Sequence, residues 1–349
     1  MTNCFISGAL SISQATDLTE IQLRRSYDFA LAAVSWERRS SAAFRACSNL
    51  PKKSIFIRFD SSDRSVDEKK DEAEVELKAL FESSDLFKLK KSTQFMENAE
   101  AFEQILLDKH KETGRPIRLL VDITCLPKSY LMFLIGLGFS RDYISRLDCI
   151  YSEGDYSFDD VVQIPSNGDI CFVSEGEWGA LQIPYLGSAS SIPNHRDLLV
   201  SMGGEIGLSL PFIDRYEPRS LGMIVIKDGL FQSATKIPES EAIALNRILS
   251  EGNVERFDIG IADVVSTIAA VKKFCANAAS ETISGIVLGS KPHALAFGIA
   301  ALNLSNLEII CRIPKRYRPL DVAPNGRFAF YTIEDRFEPS GYFDEKPSI

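Results

Sequence analysis

The chain is poor in histidine, carries no excess of basic charge and has no long apolar run. Its three histidines, His110, His195 and His293, have no acidic or cysteine neighbours at ligand spacing. A dedicated zinc site is therefore not expected, and no cofactor is read from the sequence. No stretch reaches the roughly 18 consecutive apolar residues of a membrane helix. The N-terminus has no basic start followed by an apolar segment, so neither a signal peptide nor a membrane partner is expected. With 48 acidic against 39 basic side chains the net charge is −9, which argues against general nucleic-acid binding, since that needs a basic face. A local anion site stays compatible with this total, because clefts concentrate charge. The seven cysteines are an odd number without a CxxC pair, which fits a reducing, cytoplasmic setting better than a disulfide framework. There is no GxGxxG after the first strand-like run, no GxxxxGK followed by Ser or Thr, and no GxSxG. No motif pairs Cys125 with a histidine, which weakens a thiol-nucleophile reading.

What is present is an alternation of strand and helix patterns in a chain of 349 residues, about two domains by length. Phe29 to Val34, Ser54 to Phe59, Arg118 to Ile123 and Leu147 to Tyr151 read as strands. Arg39 to Cys47, Val66 to Glu82, Asn98 to Thr113 and Lys128 to Phe139 read as helices, and the charge of Val66 to Glu82 reads as a solvated face. A Gly- and Pro-rich connector follows. The second half has strand patterns at Ile206 to Ile213, Arg256 to Ile259, Ile283 to Leu288 and Leu307 to Cys311. Its helical patterns are Arg219 to Ile226, Glu239 to Leu249, Ala262 to Ala278 and Pro292 to Leu302. Strands alternating with helices imply parallel sheets covered on both faces. The expected class is thus α/β, with two tandem Rossmann-like parallel-sheet domains related by internal duplication. The expected division is residues 1–161 with an N-terminal extension, a connector at 162–203, and 204–349 with an irregular C-terminal tail.

The duplication rests on three echoes in the same order. Ser35-Trp36-Glu37-Arg38-Arg39-Ser40 is echoed 180 residues later by Arg215-Tyr216-Glu217-Pro218-Arg219-Ser220. Leu126-Pro127-Lys128-Ser129 after one apolar run pairs with Ser290-Lys291-Pro292-His293 after another. Leu147 to Tyr151 with Tyr156 pairs with Leu307 to Cys311 with Tyr317.

Ligands of open parallel sheets bind beyond the carboxyl ends of the strands, which is where these segments are expected. A helix N-terminus with Ser and Lys suits an anion, Arg suits phosphate, and Trp36 or Tyr216 can stack on a base. The expected ligand-binding set is Trp36, Arg38, Arg39, Ser40, Asp122, Thr124, Lys128, Tyr216, Arg219, Ser220, Gly289, Ser290, Lys291 and His293. Tyr151, Glu153 and Tyr156 follow a strand end and face the same crevice in this reading. The basic cluster Arg312, Lys315, Arg316 and Arg318, with Tyr317 among it, is either a further phosphate contact or solvated surface. Each candidate also has a structural reading. Glu37 pairs with an arginine to fix a turn, the aromatics cap a core, Asp122 caps a turn, and His293 is a satisfied first-turn histidine.

At Val287-Leu288-Gly289-Ser290-Lys291-Pro292-His293-Ala294-Leu295-Ala296 the chain resembles the CRISPR-associated Rossmann fold (CARF) domains, in which a strand meets a Gly-Thr-Lys-type turn and an apolar helix. Val121-Asp122-Ile123-Thr124 with Pro127-Lys128 looks like a degenerate version. The resemblance, with that to the fused SAVED domains, implies a sensor of a nucleotide second messenger in a bacterial anti-phage system. Gly289, Ser290 and Lys291 would then be phosphate or ribose contacts, and an effector or other protein of the same system a further partner. Two other readings stay open: a nucleoside- or nucleotide-processing hydrolase or transferase using Glu37 and Glu217, and a protein-interaction subunit whose motifs are structural.

Overall fold

The structure is a computed structural model. It describes residues 3–155, 174–187, 197–202, 213, 216–227, 243, 246–248, 250, 253–278, 282–317 and 321–336. The fold is α/β, with two large, mostly parallel sheets. The first contains β1 (Asn3–Ser7), β2 (Leu10–Leu18), β4 (Phe29–Val34), β6 (Lys53–Phe59), β7 (Ser83–Leu89), β8 (Ile117–Asp122), β9 (Ile144–Asp155) and β16 (Ala323–Asp335). The second contains β10 (Ser174–Gln182), β11 (Asp197–Ser201), β12 (Ser220–Ile226), β13 (Val254–Ile259), β14 (Ile283–Val287) and β15 (Leu307–Tyr317). A short parallel pair joins β3 (Ile21–Gln22) to β5 (Cys47–Ser48).

The two sheets share one strand order. Their parallel strands run β7-β6-β4-β8-β9 and β13-β12-β11-β14-β15, that is 3-2-1-4-5 by order along the chain. Each then adds an antiparallel strand beyond the fifth, β16 on β9 and β10 on β15. The common order pairs β8 with β14 and β9 with β15, as expected. It pairs β4 with β11 and so separates the aromatic-Glu-x-Arg-Ser echo. The first copy follows β4, whereas Ser220 of the second copy opens β12. Of the strand expected at Ile206 to Ile213, Ile213 is helical and its carbonyl accepts from Glu217 N–H; 206–212 lie outside the described residues.

Other expectations need correction. Ser220–Ile226 is a strand, not a helix, with five of its seven residues buried between two layers, where β-branched residues pack well. The tail is not wholly irregular, since β16 crosses back and pairs with β9 and β2 of the first sheet. The connector holds β10 and β11, both strands of the second sheet. The N-terminal extension supplies β1 and β2 to the first.

Helices cover both faces. On the outer face of the first sheet lie α1 (Ala42–Arg45) and α2 (Arg64–Lys78), packed on Ala30, Ala32, Val34, Phe56 and Leu120. On the inner face lie α3 (Phe95–Thr113) and α4 (Lys128–Ser140), and on the facing side of the second sheet α5 (Val264–Asn277) and α6 (Lys291–Ala301). These inner helices and both sheets form one continuous core.

In α4 every residue from Ser129 to Gly138 is buried, and in α6 every residue from Pro292 to Ala300. A helix without a solvent face must be enclosed. Each is, between its own sheet and the other helix. The backbones approach closely at Gly298, where a Cβ would stand 3.0 Å from Ile135 Cδ1 and 3.6 Å from Met132 Cγ. Polar ties flank this seam. The Tyr331 hydroxyl donates to Ala262 O at 2.9 Å, and Gln14 Nε2 donates to the α5 capping residue Asp263 at 2.9 Å. Among the described residues no helix is long and apolar enough to cross a membrane.

Gly298→Leu drives a branched side chain into this seam. It should destabilise the protein by roughly 1–3 kcal/mol through overpacking, read as a lower urea midpoint with an unchanged slope.

Candidate functional site

In each sheet the switch point lies between the first and fourth parallel strands, β4 and β8 in the first half, β11 and β14 in the second. Beyond β4, the backbone N–H of Ser35 donates to Ser40 Oγ at 3.3 Å, closing the turn that carries Trp36, Glu37 and Arg39. Arg39 Nε donates to Glu37 Oε2 at 2.6 Å with both side chains largely buried, and Arg39 Nη1 stands 3.5 Å from Ser152 O. Arg38 points outward. Its backbone N–H donates to Asp321 at 2.9 Å and its guanidinium reaches the same carboxylate at 3.3 Å. Trp36 is half-buried, with the Lys70 ammonium 5.7 Å from its ring centre.

Beyond β8, Thr124 N–H donates to Asp122 Oδ1 at 2.8 Å, and Ser152 N–H donates to Thr124 Oγ1 at 2.9 Å. The other carboxylate oxygen, Oδ2, is buried and has no hydrogen-bond partner, and the same holds for Ser152 Oγ. Burial pushes the Asp122 carboxyl up to about 6, although its hydrogen bonds to Thr124 and the charges of Lys291 and Arg39 pull the other way. Burial likewise pushes the Cys125 thiol up to about 12, which leaves it protonated and unsuited as a nucleophile.

The two halves meet at these loops through a reciprocal exchange. Lys291 opens α6, and its ammonium donates to Thr124 O in the first half. Lys128 opens α4, and its ammonium donates to Leu288 O in the second half at 2.8 Å. Lys291 also lies within electrostatic reach of Glu37, Arg39, Asp122 and Cys125, and burial lowers its pKa. Glu37, Arg39, Asp122, Thr124 and Lys291 thus cluster where the halves meet, with Trp36 and Ser40 on the turn that carries Arg39.

The rest of the expected set has other work. A Cβ on Gly289 would stand 2.3 Å from Ser201 Oγ, so that glycine allows close packing. Ser290 caps α6, accepting from His293 N–H at 3.2 Å and donating to Ile261 O at 2.6 Å. His293 is fully buried, bonded through Nδ1 to Ser201 Oγ at 2.9 Å and through Nε2 to Gly260 O at 3.0 Å. Arg219 pairs with Asp197 at 3.2 Å, and Asp197 is the first residue of β11. Arg219 and Ser220 thus lie at the amino edge of the second sheet. Tyr216 packs on the outer core of the second sheet. Glu217 is exposed at positive φ just before β12. The second-half residues of the echo are therefore corrected out of the crevice. Lys315 and Tyr317 belong to β15, Glu153 pairs with Arg327 at 3.0 Å, and Tyr156 and Arg318 lie outside the described residues.

Two participants escaped sequence reasoning. Ser152 sits inside a long strand with no motif to mark it. Lys70 lies in a helix read as a solvated face, yet it is only 3% exposed and donates to Phe59 O at 2.6 Å. Among the described residues no group of three or more His, Cys, Asp or Glu side chains is placed to hold a metal ion.

No family model matches the chain, and no curated protein does. Two solved structures show a remote likeness. The cytoplasmic domain of a prokaryotic cation chloride cotransporter is 9% identical at a TM-score of 0.25, with 83% of this chain and 96% of that one covered. A functionally unknown protein from Pseudomonas aeruginosa PAO1 is 8% identical at a TM-score of 0.21, with 82% and 92% covered. TM-scores this low carry no functional argument.

The raised carboxyl of Asp122 makes a stability prediction. Its folded value of about 6 lies above the ordinary value of 3.8, so the folded state holds this proton more tightly than the unfolded chain. The charged carboxylate then costs stability above pH 6, and that cost disappears as the pH falls towards 4. Asp122→Asn keeps an acceptor for Thr124 N–H. It should stabilise the protein by on the order of 2–3 kcal/mol at pH 7.5 and by little at pH 4, read from urea unfolding at the two pH values.

Proposed function

We propose that the chain binds a nucleotide-type or other phosphorylated ligand at the first half's switch point, in the crevice closed by the second half. The supporting observation is the convergence of Lys291, carried in from the other half, on Arg39 and on an Asp122 whose second oxygen is unpartnered. A crevice at a switch point is where open α/β sheets take ligands. Two cations of low exposure suit a phosphate, and half-buried Trp36 suits a base. In this reading the ligand is a nucleotide second messenger and the chain its sensor in an anti-phage system, as the resemblance to CARF domains implies.

Among the described residues, only the first half brings such a polar cluster to its switch point. Where β8 ends in Asp122, β14 ends in Val287, and the hydroxyl of Ser201 at the end of β11 is taken by His293. One ligand per chain is expected. The enzymatic alternative gains nothing from the geometry through Glu217, whereas Glu37 stays beside Arg39. Glu37 follows the carboxyl end of β4, whereas Glu217 precedes β12, whose seven residues span roughly 23 Å away from the carboxyl edge.

A thermal-shift and calorimetric screen of mononucleotides, NAD and linear and cyclic oligonucleotides, with mass spectrometry of each hit, tests this reading. Arg39→Ala should weaken binding of any hit by roughly 1.5–3 kcal/mol, the range for a lost charge-assisted hydrogen bond, and Arg219→Ala should leave it unchanged. Binding that responds to Arg219 and not to Arg39 would move the site. Conversion of the ligand would favour an enzyme, and no binding at all a protein-docking subunit.

A further inference from the structure

We infer that Asp122 and Ser152 together receive a pair of hydroxyl groups from the ligand, a sugar diol, and so make the crevice selective for ribose over deoxyribose. The inference rests on the nucleotide reading above. Asp122 is 1% exposed and Ser152 fully buried, yet Asp122 Oδ2 and Ser152 Oγ both lack a hydrogen-bond partner. Buried polar groups are satisfied almost everywhere in folded proteins, so two exceptions on adjoining strands ask for a donor or acceptor from outside the chain.

The two groups belong together. In the parallel pairing of β8 with β9, Asp122 stands opposite Ile150, two residues before Ser152. Thr124 sits between them and uses its N–H on Asp122 Oδ1 and its Oγ1 on Ser152 N–H. Thr124 also hydrogen-bonds the Asp122 carboxylate through its side chain, which leaves Asp122 Oδ2 and Ser152 Oγ as the unpartnered atoms of this group.

The charges around them select its chemistry. A cationic guest is opposed by Arg39 and Lys291, both of which act electrostatically on Asp122. A phosphate is opposed by the Asp122 carboxylate itself and belongs with those two cations. A neutral hydroxyl donates to Oδ2 without either conflict, and a second, vicinal hydroxyl can exchange a hydrogen bond with Ser152 Oγ. Phosphate on Arg39 and Lys291, with a diol on Asp122 and Ser152, describes a ribonucleotide.

The test is calorimetry at pH 7.5 with AMP and linear diadenylate, both of which carry a free 2′,3′-diol, each beside its 2′-deoxy counterpart, on the full chain and on Asp122→Asn and Ser152→Ala. The ribose form should bind the wild type roughly tenfold or more tightly than the deoxy form, the factor expected for one hydrogen bond to a charged group. Asp122→Asn should bring the ribose form down to the affinity of the deoxy form and leave the deoxy form unchanged. Ser152→Ala should weaken the ribose and deoxy forms by a similar, smaller factor, because the second hydroxyl is present in both. Equal affinity of ribose and deoxy forms for the wild type overturns the diol assignment, and so does a gap that survives in Asp122→Asn. In either case the nucleotide reading stands. Failure of all four probes to bind overturns both. Asp122→Asn is expected to fold at least as stably as the wild type, so a lost gap cannot be ascribed to unfolding.

Discussion

Two helices that cannot face water, α4 and α6, bury each other, and the placement of the other elements follows from that burial. Helix α4 has ten consecutive buried residues and α6 has nine. Neither half could expose its own helix without opening an apolar surface of the kind that drives association. Stacking the two inner faces removes both surfaces at once and fuses the cores of the halves into one. Gly298 lets the seam close tightly, because any side chain there would push against Ile135. The strands that reach across, β2 with Gln14 and β16 with Tyr331, then fix how the second half sits on the first.

The seam also brings the two carboxyl edges together. Each helix begins just after its strand ends, so stacking the helices puts the two strand-to-helix loops side by side. The first residue of each helix is a lysine, and its ammonium donates to a carbonyl of the opposite loop. The exchange is symmetric in chain position and asymmetric in consequence. Lys128 arrives at a loop next to Val287 and Leu288. Lys291 arrives beside Glu37, Arg39 and Asp122. One half therefore supplies a charged crevice and the other supplies its closing cation, a division of labour that strand order alone does not reveal.

What the sequence made legible follows the same physics. Strands buried on both faces, such as Ile117–Asp122 and Ile283–Val287, read as continuous apolar runs, and the apolar helices after them were equally plain. Lys128 and Lys291 were found because they stand between such a strand and such a helix. The echo of Trp36 to Ser40 in Tyr216 to Ser220 misled, because a short match of residue types does not say on which side of a strand it lies. Arg219 serves an ion pair at the amino edge with Asp197, and nothing local distinguishes that from a phosphate contact. Ser220–Ile226 was misread because Leu, Gly and Met interrupt the β-branched residues, and the pairing with β11 and β13 decides its state. β16 was hidden because its partners lie more than 150 residues upstream, and Lys70 because its role depends on Phe59 O and the Trp36 ring, both outside its helix.

Asp122 and Ser152 both hold the Thr124 loop, and each keeps one buried polar atom without a partner. The backbone amide of Thr124 would be satisfied equally well by the oxygen of an asparagine at position 122. The charge adds only the cost of holding a carboxylate in a buried place, a cost visible in its elevated pKa. Arg39 and Lys291 offset that cost without removing it, since each also serves another partner, Glu37 and Thr124 O respectively. An unpartnered buried acceptor within electrostatic reach of two cations is the observation on which the proposed ligand site rests. The same reasoning separates this crevice from its counterpart in the second half. There Ser201, His293 and Gly260 satisfy one another in a closed chain. That network is closed within the described residues, whereas Asp122 Oδ2 and Ser152 Oγ lack a partner, which is why the ligand is proposed in the first half.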